Sequence, residues 1–364
     1  MMKTYPLTSL TLKEATNLQF KLVDSITRFF PGNEILTRGD LGVVKNLNQP
    51  MFTNKVEQVL ADFFEAESAM LVRGSGTNAI RLALHSSVGT GGILLVHDAA
   101  IYPTTKVSLD MLGIKTIAVD FNHLEAVKNL IETEKINGIL IQATRQKIDD
   151  SYDLEELIET IRKINDTIPI VTDDNYSAMK TRGIGTQFGG NLACFSTFKL
   201  LGPEGVGCII GDSRYINKLK QENYSGGGQV QGHEALDVLK GMIYAPVSLA
   251  ISSEVSEELC QRINEGEIEG LEKAYVVNAQ SKVVVIQLKD KNAKQIIETA
   301  TKLGALPHPV GAESQYEFSP LVYRVSGTFR ATNPEAEDTM IRINPNRSGV
   351  ETIIRILKEA MSLI

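Results

Sequence analysis

The apolar positions of this chain follow two regimes. From residue 56 to residue 212, short buried-type runs alternate with stretches of helical period. Val56, Val59, Leu60, Phe63 and Phe64 mark one face of a helix. Strand-like runs follow at residues 70–72, 93–96, 116–119, 139–141, 168–171, 192–195 and 206–210. These runs are short, rich in Val, Ile and Leu, and continuous, as expected of strands covered on both faces. Amphipathic segments separate them, and Asn122 three residues before Glu125 is a helix-start signal. The alternation predicts an α/β architecture: a mainly parallel seven-stranded sheet with helices on both faces.

After Gly232 the pattern changes. A long helical stretch over residues 234–263 leads to strands near 283–288, 321–325 and 340–343, with helices at 293–303 and 350–363. That predicts a smaller α+β domain. Ahead of the alternating region, a helix-like run over 12–29 precedes a Pro-Gly turn. The expected division is residues 1–49 as an arm and part of the small domain, 50–240 as the large domain, and 241–364 as the C-terminal small domain. A length of 364 residues suits one large domain and one smaller one.

Composition narrows the classes. The net charge of −7 and the scattered lysines and arginines argue against a nucleic-acid surface. The start, Met1-Met2-Lys3-Thr4-Tyr5-Pro6, has no apolar signal core, and no apolar stretch reads as long enough to span a bilayer. The expectation is a cytoplasmic protein without membrane partners. Cys194, Cys208 and Cys260 form no C-x-x-C pair and read as reduced thiols, and the histidines show no metal spacing.

Three segments carry candidate chemistry. Lys199 closes the run Cys194-Phe195-Ser196-Thr197-Phe198-Lys199, ahead of a glycine-rich turn. A lysine at the rim of an apolar strand is partly desolvated, which frees its amine to form a Schiff base with an aldehyde. Upstream, Met70-Leu71-Val72 runs into Gly74-Ser75-Gly76-Thr77 and then a helix expected to begin near Asn78. Backbone N–H groups at a helix start, beside hydroxyls and glycines, make a phosphate cradle. Between the two, an apolar strand ends in Thr172-Asp173-Asp174-Asn175-Tyr176, which places a carboxylate where open α/β sheets hold ligands. An aldehyde-binding lysine, an acid for a ring nitrogen and a phosphate site together match pyridoxal phosphate.

On these residues the chain resembles the fold-type-I pyridoxal-phosphate enzymes, the aspartate aminotransferase superfamily. Over residues 56–84 it is most similar to the cystathionine synthase and lyase branch. The resemblance implies that Lys199 bonds the cofactor and shuttles a proton at the substrate's α-carbon. It implies that Ser75, Gly76, Thr77 and Ser196 bind phosphate, and that Asp173, with Asp174 as the rival, keeps the pyridine nitrogen protonated. Tyr176 would lie near the ring's phenolic oxygen, and Tyr102, or else His97, would stack on the ring. Arg342, in Met340-Ile341-Arg342-Ile343, would grip the substrate's carboxylate with its planar fork, with Arg347 and Arg330 as alternatives. The superfamily further implies an amino acid substrate and a homodimer. Transamination is the first expectation and β- or γ-elimination at a sulfur-bearing amino acid the second.

The chain departs from the lyase branch in two places. Where that branch carries Glu-Ser-Pro-x-Asn-Pro, this one has Ile141-Gln142-Ala143-Thr144-Arg145-Gln146-Lys147, with Gln146 the nearest substitute for the asparagine. No Tyr-Ser-Arg precedes Val56. The glycine-rich segment from Ser225 to His233 could cover a site or simply connect elements. Finally, Gly74-Ser75-Gly76-Thr77-Asn78-Ala79 also satisfies the dinucleotide pattern G-x-G-x-x-A, with Asp98 about 20 residues on as a ribose-binding acid. That alternative leaves Lys199, Ser196 and Asp173 without roles.

Overall fold

The computed structural model describes residues 2–224, 228–279, 281–311 and 313–364. The chain forms two compact units, one of residues 13–143 and 151–246 and one of residues 2–12, 144–150 and 247–364. In chain order the elements are α1 (Leu12–Phe29), α2 (Met51–Phe63), β1 (Ser68–Arg73), α3 (Ser75–Ser87), β2 (Ile93–His97), α4 (Pro103–Leu112), β3 (Lys115–Val119) and α5 (Leu124–Thr133). They continue with β4 (Gly138–Gln142), α6 (Leu154–Ile164), β5 (Ile170–Asp173), β6 (Leu192–Ser196), β7 (Val206–Gly211), α7 (Ser213–Glu222) and α8 (Gly232–Asn264). The last are β8 (Leu271–Ala279), β9 (Ser281–Leu288), α9 (Ala293–Lys302), β10 (Leu321–Arg324), α10 (Gly327–Thr332), α11 (Ala336–Thr339), β11 (Met340–Asn344) and α12 (Val350–Ser362).

The larger unit holds the expected seven-stranded sheet, in the order β1-β7-β6-β5-β4-β2-β3. The pairs from β6 through β3 are parallel, whereas β7 runs antiparallel to both β6 and β1. Two antiparallel steps restore direction, so β1, β5 and β6 end at the same edge. Successive strand residues point to opposite faces, and both faces are apolar. Leu94, Val96, Leu140 and Val171 pack with Ala79, Ile80, Leu109 and Ile216 on one side. Leu95, Ile139, Ile141 and Ile170 pack with Val127, Leu157, Ile158 and Ile161 on the other. This two-sided burial is why the strands read as continuous apolar runs.

The smaller unit is built on an antiparallel four-stranded sheet, β10-β11-β9-β8. Its core joins Val284, Ile286, Ile341 and Ile343 to Ile296, Ile353 and Leu357 of α9 and α12. Residues 13–49, expected as an arm and part of the small domain, group instead with the larger unit. There Ser25 Oγ donates to Asp62 at 2.6 Å and Arg28 pairs with Asp62 at 3.1 Å, tying α1 to α2. The expectation of no membrane-length apolar stretch is also corrected. Among the described residues α8 alone is long and apolar enough to cross a bilayer, and 56% of its most apolar window is buried within the protein, as in a core helix.

Candidate active site

The turn after β1 is shaped by two left-handed residues, Gly74 at φ +92° and Ser75 at φ +59°. Its amides are anchored, since Gly74 N and Ser75 N donate to Gly205 O at 2.8 and 3.0 Å. Helix α3 starts at Ser75 rather than near Asn78, so Gly76 and Thr77 sit in its first turn. The Ser75 and Ser196 hydroxyls lie 2.7 Å apart, which joins this helix start to the end of β6. Thr77 Oγ1 donates to Thr104 Oγ1 at 3.2 Å, so the start of α4 is held beside it. Hydroxyls converging on a helix N-terminus form an anion site by dipole and donor geometry together.

Asp173 ends β5 and Asp174 follows it, and the two carboxylates take different partners. Asp173 accepts from Asn175 N at 3.1 Å and from Asn175 Nδ2 at 2.7 Å. Burial raises its proton affinity, while Lys199 and the two Asn175 donors pull it down. Asp174 accepts instead from Thr172 Oγ1 and, at 3.2 Å, from Gly185 N. Its pKa is pushed up to about 7, chiefly by burial and further by Asp173, against its hydrogen bonds. Of the two, Asp173 shares Asn175 with Lys199, through hydrogen bonds of 2.7 and 3.2 Å.

Lys199 lies just past β6, in a short 3-10 turn Thr197–Leu200. Thr197 fixes this turn by donating its hydroxyl to Val206 O at 3.0 Å. From there Lys199 Nζ donates to Asn175 Oδ1 at 3.2 Å and stands 3.9 Å from the centroid of the Tyr176 ring. Tyr176 holds φ +68°, unfavourable for a side chain with a β-carbon, and that conformation places its ring against the amine. Asn175 Oδ1 also accepts from Ser196 N at 3.0 Å. A β-carbon on Gly76 would lie 2.8 Å from Asn175 Nδ2 and 3.1 Å from Ser196 N, so only glycine leaves this carboxamide its place.

The structure therefore brings together Ser75, Gly76, Thr77, Asp173, Tyr176, Ser196 and Lys199. Tyr102 precedes α4 and is 41% exposed, two residues from Thr104. His97, its rival, is buried against the rings of Phe121 and Tyr152, and its Nδ1 accepts from Phe121 N at 3.1 Å. Gln146 lies within residues 144–150, part of the smaller unit. Arg342 also belongs to that unit. It is buried on β11, an interior strand, with its guanidinium 4.0 Å from the centroid of the Tyr323 ring. Arg347 instead donates to Glu317 O and Glu313 O, both at 3.1 Å, and Arg330 pairs with Glu337 at 2.6 Å. Of the glycine-rich segment, residues 225–227 lie outside the described residues. Sequence reasoning missed Asn175; its one signal was an Asx residue just past a strand-end acid, a position that favours local backbone hydrogen bonds.

The aminotransferase class-V family model matches residues 23–273. The chain belongs to the aminotransferase class-V family. A second family model, the YhfS-like C-terminal domain, matches residues 257–357 of this class-V protein. The uncharacterized protein YhfS of Escherichia coli K12 is 51% identical over 363 residues, covering 100% of both chains. The crystal structure of the pyridoxal-5'-phosphate-dependent protein YhfS from Escherichia coli matches with TM-score 0.98, 51% identity and 100% of both chains covered. A putative cystathionine beta-lyase involved in aluminum resistance from Listeria innocua shares the fold, with TM-score 0.73 and 18% identity over 96% of this chain and 94% of that one. The protein is thus a fold-type-I, pyridoxal-phosphate-dependent enzyme, which leaves the dinucleotide pattern of residues 74–79 without a role.

The residues fit that cofactor. They supply an amine, a buried carboxylate beside it, and a helix N-terminus with paired hydroxyls whose approach requires the missing β-carbon of Gly76.

Proposed function

We propose that this class-V enzyme acts on an amino acid, with Lys199 as the amine that bonds the cofactor's aldehyde and moves a proton at the substrate's α-carbon. The observation that carries the reading is the link from Lys199 through Asn175 to Asp173, with steps of 3.2 and 2.7 Å, beside the Ser75–Ser196 pair. Bound pyridoxal phosphate supplies an aldehyde for amines and a pyridine ring that, protonated at nitrogen, draws electrons from the α-carbon. Each side chain then has a defined task. Asp173 holds the proton on the ring nitrogen, since a buried carboxyl group beside a ring N–H pairs with it as an acceptor. Ser75, Ser196, Gly76 and Thr77 bind phosphate at the start of α3. Tyr176 confines the amine of Lys199 to one direction by its ring face. Tyr102 covers the ring, and Arg342 holds the substrate's carboxylate through its fork.

Transamination is the first reading, supported by the family model over residues 23–273. In it Lys199 accepts the α-proton and then delivers it again. Elimination at a carbon–sulfur bond is the second, favoured by fold neighbours described as cystathionine lyases. Both readings need the same acid, amine and phosphate site. The deciding experiment offers amino acids to the holoenzyme with and without a 2-oxo acid acceptor. Acceptor-dependent 2-oxo acid formation supports transamination, acceptor-independent pyruvate or 2-oxobutyrate supports elimination, and no turnover of any amino acid would sink both.

The proposal extends to a cytoplasmic homodimer. Support comes from Cys194, Cys208 and Cys260, all free thiols, and from Leu36 and Leu41, which are 82% and 75% exposed on the larger unit. Light scattering that returned a monomer mass would count against the dimer.

A further inference from the structure

We propose that Asn175 is a positioning residue of the cofactor site: its carboxamide ties the Lys199 amine, the Asp173 carboxylate and the Ser196 amide into one array that aims the lysine before cofactor arrives. The proposal rests on the role given to Lys199 above.

The array admits one orientation of the carboxamide. Asn175 Oδ1 faces two groups that can only donate, Ser196 N at 3.0 Å and Lys199 Nζ at 3.2 Å. Asn175 Nδ2 faces Asp173 Oδ1, an acceptor, at 2.7 Å. Exchanging O and N would oppose donor to donor twice and leave Asp173 facing an oxygen. The backbone locks the same geometry, because Asn175 N also donates to Asp173 Oδ1 at 3.1 Å. Leucine or alanine at this position would leave the amine and the acid without a common partner.

Two consequences follow for the lysine. A four-carbon side chain with an exposed amine samples many rotamers, and a fixed acceptor selects among them. An acceptor on Nζ also favours the protonated amine, together with the other groups facing it: the Asp173 carboxylate from β5 and the Tyr176 ring. Asn175 therefore both directs the amine and raises the pH at which it becomes a free nucleophile. It touches the acid at the same time, so the two functional groups are set by one side chain.

The test compares the full-length wild type with Asn175→Ala and Asn175→Ser. Each is freed of cofactor and labelled with an acylating reagent over a range of pH, with labelling at Lys199 read by peptide mass. Removing the acceptor is expected to move the labelling midpoint of Lys199 down by roughly one pH unit. Refilling with pyridoxal phosphate should then be weaker by about tenfold, while thermal unfolding stays close to wild type. The serine variant, whose side chain is too short to bridge both groups, should shift in the same direction and decides the matter if the alanine variant does not fold. An unchanged midpoint in a folded variant overturns the positioning role. Failure of wild-type Lys199 to bond the cofactor at all would instead overturn the assignment of the lysine, and the labelling midpoint distinguishes the two results.

Discussion

The two units both bury charged side chains, but in opposite arrangements. In the larger unit Asp173, Asn175, Ser196 and Lys199 stand at or just past the ends of neighbouring strands, and their hydrogen bonds run between elements. In the smaller unit Arg342 lies within β11, directly opposite Tyr323 in the strand register. Two carboxylates act on Tyr323 from the same unit: Glu317 accepts from Val310 N at 2.7 Å and Ser314 N at 2.9 Å, and Ser281 donates to Glu313. Burial raises the proton affinity of Tyr323, Arg342 lowers it, and Glu313 and Glu317 raise it again. The contrast teaches how a polar interior divides its labour. Strand ends collect groups whose partners can be exchanged for a ligand, whereas a mid-strand arginine with an aromatic floor is a fixed fork.

The comparison can be broken most severely at Lys199. Lys199→Ala should lower turnover by about 10³-fold or more, since both covalent bonding and proton transfer are lost, with little change in melting temperature. Retained turnover would remove the strand-end array from the chemistry. Asp173→Ala is expected next, with a loss of roughly 10²–10³-fold in kcat in steady-state assays, because a preorganised charge is taken from a buried site. In the smaller unit Arg342→Lys keeps the charge and loses the fork and the stack on Tyr323. A rise of about tenfold to a hundredfold in amino acid KM is expected, with kcat affected less. If that variant instead lost stability with KM intact, the arginine would serve the packing of the small sheet alone.

The smallest effect concerns Asp174, which separates structural from functional burial within one strand end. Its folded pKa of about 7 lies above the ordinary 3.8, so the folded state holds the proton more tightly than the unfolded chain. The sign is therefore unfavourable: between about pH 4 and pH 7 stability falls as pH rises, and below that window the penalty is absent. Asp174→Asn, which cannot ionise, should gain on wild type through this window in urea unfolding at successive pH values, by at most a few kcal/mol. Parallel pH curves for the two proteins would contradict the burial argument.

Much of this is legible in the sequence. The seven strand runs of the larger unit match β1 to β7 within two residues at each end, because strands covered on both faces are continuous Val, Ile and Leu. Ser75, Asp173, Ser196 and Lys199 stood out as candidates because each lies within four residues of the end of such a run. Strand β8 was not: Leu271–Ala279 mixes Glu, Lys and Asn with its apolar residues and carries an irregularity between Leu271 and Lys273. The start of α3 was placed late because the left-handed Ser75 is set by contact with Gly205, a residue far along the chain. Asn175 was passed over for the same reason. Its partners Ser196 and Lys199 are 21 and 24 residues away, and nothing local distinguishes it from an ordinary turn asparagine.

The most direct test of the account is to load the protein with pyridoxal phosphate, reduce it with borohydride, and map the modified peptide by mass. The account predicts a single adduct on Lys199. An adduct on another lysine, or none on folded protein, would contradict it.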